Sequence, residues 1–359
     1  MKMLAIETSC DETALAFVEA SGTLKTGQKF KVLANLVSSQ IAVHRPFGGV
    51  VPNLAKREHI RNLPILLKQL EKKLSSKSQV LNPDLIAVTV GPGLEPALWT
   101  GINFAVELGK KLKKPVMGTN HLEGHLYSFL LSQKTGNSKS KVLSPKLKFP
   151  AIVLSVSGGH TMLLSLKKLG EVKKIGETLD DAVGEAFDKV ARLLELPYPG
   201  GPEIEKLAKK GNENAIDFPR PMIHHKNYDF SFSGLKTSVL YYIRDNPPPK
   251  RAGELLSYRA DLAASFQKAA VDVLVKKATR AAEEFKAKSI VLVGGVSANK
   301  YLQKRLSKAA KEMKVKFFSP PSEFNTDNAA MIAAAAYIRH ISKKKRKKYP
   351  LKADGNIGF

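Results

Sequence analysis

The chain carries one cysteine, Cys10, in 359 residues. A lone thiol cannot form an internal disulfide, and its isolation fits a reducing compartment. No apolar run is long enough to cross a bilayer, so no membrane span is expected. The opening stretch "MKMLAIETSCDET" turns acidic where a secretion signal would stay apolar. It reads as an early strand, and a cytoplasmic location is expected. Acidic residues are scarce beside basic ones: 32 Asp and Glu against 58 Lys and Arg, a formal net charge of +26. Such an excess favours a polyanionic partner, nucleic acid first, with a lysine-rich solubility surface as the plain alternative. A membrane surface is a weaker candidate, because no apolar face accompanies the charge. Part of the excess sits in six consecutive basic residues, Lys343 to Lys348. Residues 342–359 read as a mobile basic tail that adds non-specific attraction to RNA.

What is present is a plan written twice. "MLAIETSCDETALAFVEA" and "AIVLSVSGGHTMLLSL" each read as strand, tight turn, strand. Both place S-x-x-x-T at the turn, Ser9 to Thr13 and Ser157 to Thr161. "DLIAVTVGPGLEPALWTGINFAVEL" and "KSIVLVGGVSANKYLQKRL" each read as buried strand, Gly-rich turn, helix. The expectation is an α/β protein of two related domains, each a mixed sheet flanked by helices. The boundaries expected are 1–135 for the first domain and 149–326 for the second, with a Ser/Lys-rich divide between them. A last helix over 327–341 is placed as packing back on the first domain. Turns with exposed N–H groups suit phosphate, and Gly158-Gly159 suits it best, though an ordinary glycine hairpin reads the same way.

"NHLEGHLYSFL" sets His121 and His125 four residues apart in a helical segment. Four residues advance about 400°, so the two imidazoles share one face. That spacing suits two ligands of one metal and equally two solvated residues. H-E-x-x-H is absent, and Glu123 falls about 200° from His121, away from any shared metal. Spacing alone leaves both readings open.

The motifs "IETSCDET", "GPGL", "NHLEGH", "SVSGGHT", "GETLDDAVGEAFDKVARLL", "YPGGP", "FSFSGLKT", "SFQKAAVDVL", "VLVGGVSANKYL" and "NTDNAAMIA" follow one another in one order. In that order they resemble the bacterial form of the universal tRNA adenosine threonylcarbamoyltransferase family, from Met3 to about His340. The resemblance implies the two-domain fold of actin, Hsp70 and sugar kinases, with the active site in the cleft between domains. It implies transfer of a threonylcarbamoyl group from threonylcarbamoyl-AMP to the exocyclic amine of the adenosine 3′ of the anticodon, with release of AMP. The partners implied are tRNA, a smaller inactive paralogue of the same fold, and a small P-loop ATPase.

The resemblance also assigns residues. His121, His125 and Asp327 match metal ligands, for iron or zinc, with magnesium on a nucleotide as second choice. Ser155, Val156, Ser157, Gly158 and Gly159 fall along the donor's phosphate and carbamoyl portion. Asp188, Gly201 and Glu205 fall on its ribose and adenine side, and Asn299 comes from the second Gly-rich turn. Asp11 and Glu12 are candidates for a base. Each has a plainer reading: Asp327 and Asn299 as helix caps, Asp188 and Glu205 as surface charges, Gly201 as a turn residue. Cys10 lacks a local activating His and reads as a buried thiol. "GGVVPNLAKREHIRNL" reads as a loop entering a basic helix, with His44, Lys56, Arg57 and His59 set to meet tRNA or a partner, or simply solvent. Asn53 stands where the family usually has Glu, Ser155 where it is more often apolar or Tyr, and the loop at 131–148 is longer than usual. An ATP-dependent small-molecule kinase on the same fold is the main rival. It has no use for two histidines and a distant aspartate.

Overall fold

Strand β1 (Lys2–Glu7) is buried over its last five residues, and β4 (Leu85–Gly91) at all seven. Continuous burial of Ile, Val and Leu is the mark of strands covered on both faces. They form the middle of a five-stranded sheet with β2 (Glu12–Thr23), β3 (Gly27–Ser39) and β5 (Val116–Asn120), in the order β3-β2-β1-β4-β5. The first three strands are antiparallel, and β4 and β5 run parallel to β1. Between them run α1 (Ile41–His44), α2 (Pro52–Ser75) and α3 (Glu95–Leu112), and α4 (His121–Tyr127) follows β5 directly. Leu66 and Leu70 of α2 and Leu98 and Ile102 of α3 pack with Ile6, Ile86 and Val88 into one core.

The second sheet repeats the plan. β6 (Ala151–Val156), β7 (Thr161–Lys168) and β8 (Glu171–Glu177) form the antiparallel part, then come α5 (Val183–Leu193), α6 (Gly200–Ala208), α7 (Ser233–Asp245) and α8 (Ala252–Glu284). β9 (Ser289–Val293), α9 (Lys300–Glu312) and β10 (Lys316–Phe318) complete it, in the order β10-β9-β6-β7-β8. Matched strand for strand, the two orders are identical. The S-x-x-x-T turns sit where the duplication puts them: β1 ends two residues before Ser9, and β6 ends just before Ser157. The architecture is therefore α/β with two mixed sheets flanked by helices. This is a computed structural model that describes residues 1–24, 26–76, 78–131, 147–342 and 349–359. The run Lys343–Lys348 lies outside the described residues, as does the long loop apart from its ends.

The chain divides into two compact units, Met1–Lys146 with Pro320–Phe359, and Leu147–Ser319. The first thus includes α10 (Ala329–Ile341), whose residues Ala329 to Ala336 are wholly buried against the first sheet and α4. Six alanines and a glycine make the approach close: a Cβ on Gly124 of α4 would sit 2.8 Å from Ile332 Cδ1. Tyr349–Phe359 departs from the expected mobile tail. Asp354 N–H donates to the Val90 carbonyl (2.9 Å), and Ala353 is buried in the core with Leu4 and Ile6. The basic character lies in the preceding run; within the last eleven residues only Lys352 and Asp354 have charged side chains. Backbone contact is possible because Gly91, at φ +152°, has no side chain: a Cβ there would lie 1.9 Å from the Asp354 carbonyl oxygen.

Candidate metal centre and substrate site

β5 becomes α4 without a loop because Asn120 caps the helix. Its Oδ1 accepts N–H bonds from Leu122 (2.7 Å) and Glu123 (3.3 Å). His121 is then the first helical residue and His125 lies one turn on, on the same face. Glu123 points elsewhere, as its position on the helical wheel requires: both its oxygens accept from Arg339 Nη1, at 2.8 and 2.9 Å. Asp327 enters from just before α10. Asn328, not Asp327, caps that helix by accepting from Met331 N–H at 3.0 Å, so the plainer reading of Asp327 as a cap does not hold.

The three side chains converge. Asp327 Oδ1 lies 3.0 Å from His125 Nε2 and 3.6 Å from His121 Nε2. Ligand atoms about 2.1 Å from a tetrahedral ion stand about 3.4 Å apart, so the set fits one ion. The 3.0 Å approach is not aligned as a hydrogen bond, and both ring nitrogens of His125 are buried without a hydrogen-bond partner among the described residues. A buried imidazole left so is costly unless something else takes its lone pair. Two imidazoles and a carboxylate with positions left open suit zinc or iron.

Glu7 sets the tautomer of His121. It is wholly buried at the end of β1, and its Oε2 accepts from His121 Nδ1 (3.1 Å) and Thr89 Oγ1 (2.6 Å). Its Oε1 accepts from Ser9 N–H at 2.6 Å, and Ser9 Oγ stands 3.1 Å from the same Nδ1. With the proton on Nδ1, the Nε2 lone pair faces Asp327. Burial acts to raise the Glu7 carboxyl, but the His121 charge and hydrogen bond outweigh it and hold it below the usual range. Burial likewise acts against a charged His121, yet Asp327 and Glu7 raise it to about 9 in the metal-free protein. The folded value lies above the unfolded one, near 6.5, so this contributes stability in full below pH 6.5 and loses it as pH rises to about 9. The chelated protein should therefore melt at lower temperature as pH goes from 6.5 to 9. A His121→Asn variant should flatten that slope in a thermal scan; an unchanged slope would place the proton elsewhere.

Asp11 ends the turn after β1, and Glu12 is the first residue of β2. Burial, then the Asp327 charge, then Asp11 beside it, push the Glu12 carboxyl well above the usual range. Burial and Asp11 push the Cys10 thiol up as well, which agrees with an inert thiol. The turn is held from α2, because His59 Nε2 donates to the Cys10 carbonyl (2.9 Å) while its Nδ1 accepts from Thr13 Oγ1 (2.7 Å). His59 and His44 are both fully buried, which overturns the expectation that they meet RNA or a partner. Each fills a hydrogen-bond network with Gln40 instead. Lys56 and Arg57 are exposed as expected.

In the second unit Ser155 to Gly159 lie at the C-terminal end of β6 and Asn299 in the turn after β9, the ends at which open α/β sheets bind ligands, while Asp188 lies on α5 and Gly201 and Glu205 on α6. Ser155 and Val156 are buried in β6. Ser157 Oγ accepts from His160 N–H at 3.1 Å and shapes the turn, while a Cβ on Gly158 or Gly159 would meet nothing within 4 Å. A side chain at either position would thus point into open space. Gly184 of α5 packs on this turn, its N–H 3.3 Å from the Ser157 carbonyl. Asp188, farther along α5, accepts from Gly200 N–H (2.7 Å) and ties α5 to the start of α6. Gly201 is open, and Glu205 of α6 accepts from Lys300 N–H at 3.1 Å. Asn299 is the cap of α9, accepting from Leu302 N–H and donating to Gln267 Oε1, both at 2.9 Å.

Sequence reading missed Glu7, Thr89, Asn120 and Arg339. The available signal was a carboxylate ending an otherwise apolar strand, "LAIE", which is costly to bury unless it is bonded.

A sequence model of the family described as tRNA N6-adenosine threonylcarbamoyltransferase matches residues 31–334. A protein of that name from Thermosipho africanus is 49% identical over 342 residues, covering 94% of each chain. One from Moorella thermoacetica is 47% identical, over 95% of this chain and 92% of its own. Among solved structures, HypF of T. kodakarensis superposes with a TM-score of 0.58 at 15% identity, over 95% of this chain and 48% of that one. This chain spans about half the length of HypF, and at that identity the likeness is one of fold.

Proposed function

The chain belongs to the tRNA N6-adenosine threonylcarbamoyltransferase family, and from that premise we propose how its own residues serve the transfer. It is a transferase that modifies tRNA adenosine at N6. The donor is threonylcarbamoyl-AMP, and the acceptor is the adenosine 3′ of the anticodon in tRNAs reading codons that begin with A. The observation that carries the reading is the buried set His121, His125 and Asp327, with Glu7 behind it. A small-molecule kinase on this fold has no use for it.

The adenosine amine attacks the carbamoyl carbon, the carbon–oxygen bond to phosphate breaks, and its electron pair leaves on AMP. One proton must leave the amine as the tetrahedral intermediate collapses. AMP is a good leaving group, so positioning and charge stabilisation are the main tasks. His121, His125 and Asp327 hold one divalent ion, iron or zinc, with magnesium on a nucleotide as second choice. When bound, the ion supplies Lewis-acid polarisation of the phosphate or carbamoyl oxygen. The turn at Gly158 and Gly159, where no side chain stands in the way, takes the donor's phosphate and carbamoyl portion, with Ser155 to Ser157 beneath it. Asp188, Gly201 and Glu205 take its ribose and adenine side. Asn299 meets the nucleotide from the second Gly-rich turn, where its bonds to Leu302 and Gln267 fix its side chain.

Glu12 takes the proton, with Asp11 orienting it. A carboxyl held above its usual range sits closer to the operating pH, as a base should. Glu12→Gln is expected to lower single-turnover transfer about 100-fold while metal content stays at the wild-type level. Equal rates would remove Glu12 from the chemistry.

The net charge of +26 suits tRNA, and binding should weaken steeply with salt. A smaller inactive paralogue and a small P-loop ATPase are the protein partners, in the cytoplasm. No helix among the described residues is long and apolar enough to cross a membrane. The test is direct: unmodified tRNA, threonylcarbamoyl-AMP and the candidate partners, followed by nucleoside mass spectrometry. Threonylcarbamoyladenosine and AMP in equal amounts are expected. Its absence, alongside ATP-dependent phosphorylation of a small molecule, would point to the kinase.

A further inference from the structure

The metal helix α4 is tied to the far end of the chain. Asn120, the residue before His121, uses its Oδ1 to cap α4 and its Nδ2 to donate to the Gly358 carbonyl at 2.8 Å. The same terminal segment meets the loop after β4, where Gly93 N–H donates to the Gly355 carbonyl at 3.3 Å. The next residue, Leu94, donates to the Ser9 carbonyl at 2.8 Å, and Ser9 Oγ lies 3.1 Å from His121. On the other side of α4, the Tyr349 ring lies 3.9 Å below the Arg339 guanidinium that holds Glu123. Glycines make room for the segment: a Cβ on Gly118 would sit 2.9 Å from the Tyr349 carbonyl oxygen, and one on Gly91 1.9 Å from that of Asp354.

We propose that Tyr349–Phe359 is a strap that positions α4, so that the last eleven residues of the chain set the affinity of the His121, His125 and Asp327 site for its ion. The claim rests on the metal reading above. These residues act through Asn120, Glu123 and Ser9 and are positioning residues. A helix of seven residues is only about two turns long and is not stable by itself, so its start must be fixed from outside. The strap supplies that fixing at Asn120 and at Glu123, and it braces the loop that carries Leu94. The segment is a tether for the ligand helix and not a free end.

The test uses full-length protein stripped of metal and titrated with Co²⁺, reading affinity and the visible d–d bands well below the melting temperature. Deletion of 349–359 is expected to weaken Co²⁺ binding at least about tenfold and to change the bands. A synthetic peptide of residues 349–359, added in trans, should restore both. Asn120→Asp keeps an oxygen to cap α4 but sets it against the Gly358 carbonyl; it should weaken Co²⁺ several-fold, and it decides the matter if the deletion does not fold. Leu74→Ala, a core change in α2, should lower the melting temperature and leave the bands unchanged. Wild-type affinity and bands in the folded deletion or in Asn120→Asp would overturn the strap. So would a Leu74→Ala loss equal to that of the deletion. If wild-type protein bound no Co²⁺, the metal reading itself would fall, and the strap with it.

Discussion

Replacing His121 and His125 together by alanine is expected to empty the site of metal and to lower threonylcarbamoyl transfer by about three orders of magnitude. The size follows from what Lewis-acid stabilisation supplies, several kcal/mol, at about 1.4 kcal/mol per tenfold in rate. The fold should survive. Both rings lie at the start of α4, whose cap is Asn120 and whose buried apolar residues are Leu122 and Leu126. Removing two imidazoles also removes buried nitrogens that lack hydrogen-bond partners among the described residues in the case of His125. For His125 such a change can be close to neutral for stability, whereas losing His121 takes a hydrogen bond and an ion pair from the buried Glu7, so the double variant should stay folded but melt below wild type. Metal analysis, melting temperature and single-turnover transfer check the three parts separately. A folded variant that holds no metal and still transfers at the wild-type rate would separate the ion from the chemistry.

Glu7→Gln, which touches no ligand atom of the ion, is expected to cost 10- to 100-fold in metal affinity, on the order seen for such supporting groups. Both oxygens of Glu7 are acceptors: Oε1 takes Ser9 N–H, and Oε2 takes Thr89 Oγ1 and His121 Nδ1. Ser9 N–H can only donate, so the amide oxygen of Gln must face it. The amide NH₂ then faces His121, whose Nδ1 must accept. The imidazole proton moves to Nε2, the nitrogen that looks toward Asp327, and an Nε2–H cannot bind metal. Competition with a chelator at several pH values reads the loss. Unchanged affinity would mean that His121 keeps its tautomer without Glu7.

Much of the architecture was legible because it is written twice. The paired S-x-x-x-T turns and the paired strand–glycine–helix stretches gave the same plan in both halves, and the two sheets have the same strand order. His121 and His125 could be placed on one face by helical period alone, but the third ligand could not. Asp327 lies about two hundred residues away in sequence, and only resemblance or folding brings it near. Glu7 escaped notice because a single carboxylate in an apolar strand has no period to betray it. His44 and His59 were misjudged because basic neighbours such as Lys56 and Arg57 suggested a solvated face. A helix face is decided by packing, and the sheet side of α2 takes His59. The terminal segment was misjudged for a related reason. The charge of Lys343–Lys348 was extended over residues that carry little, and the glycines that receive them lie far back in the chain at Gly91 and Gly118.

The measurement to make first is single-turnover transfer of labelled threonine from preformed threonylcarbamoyl-AMP to unmodified tRNA, with candidate partners present, by protein stripped of metal and then reloaded with iron or zinc. Stripped protein should transfer at about one-thousandth of the reloaded rate or less, and reloading should restore transfer in wild type but not in the His121→Ala, His125→Ala double variant. Equal transfer by folded, metal-free wild-type protein would contradict a role for the site formed by His121, His125 and Asp327.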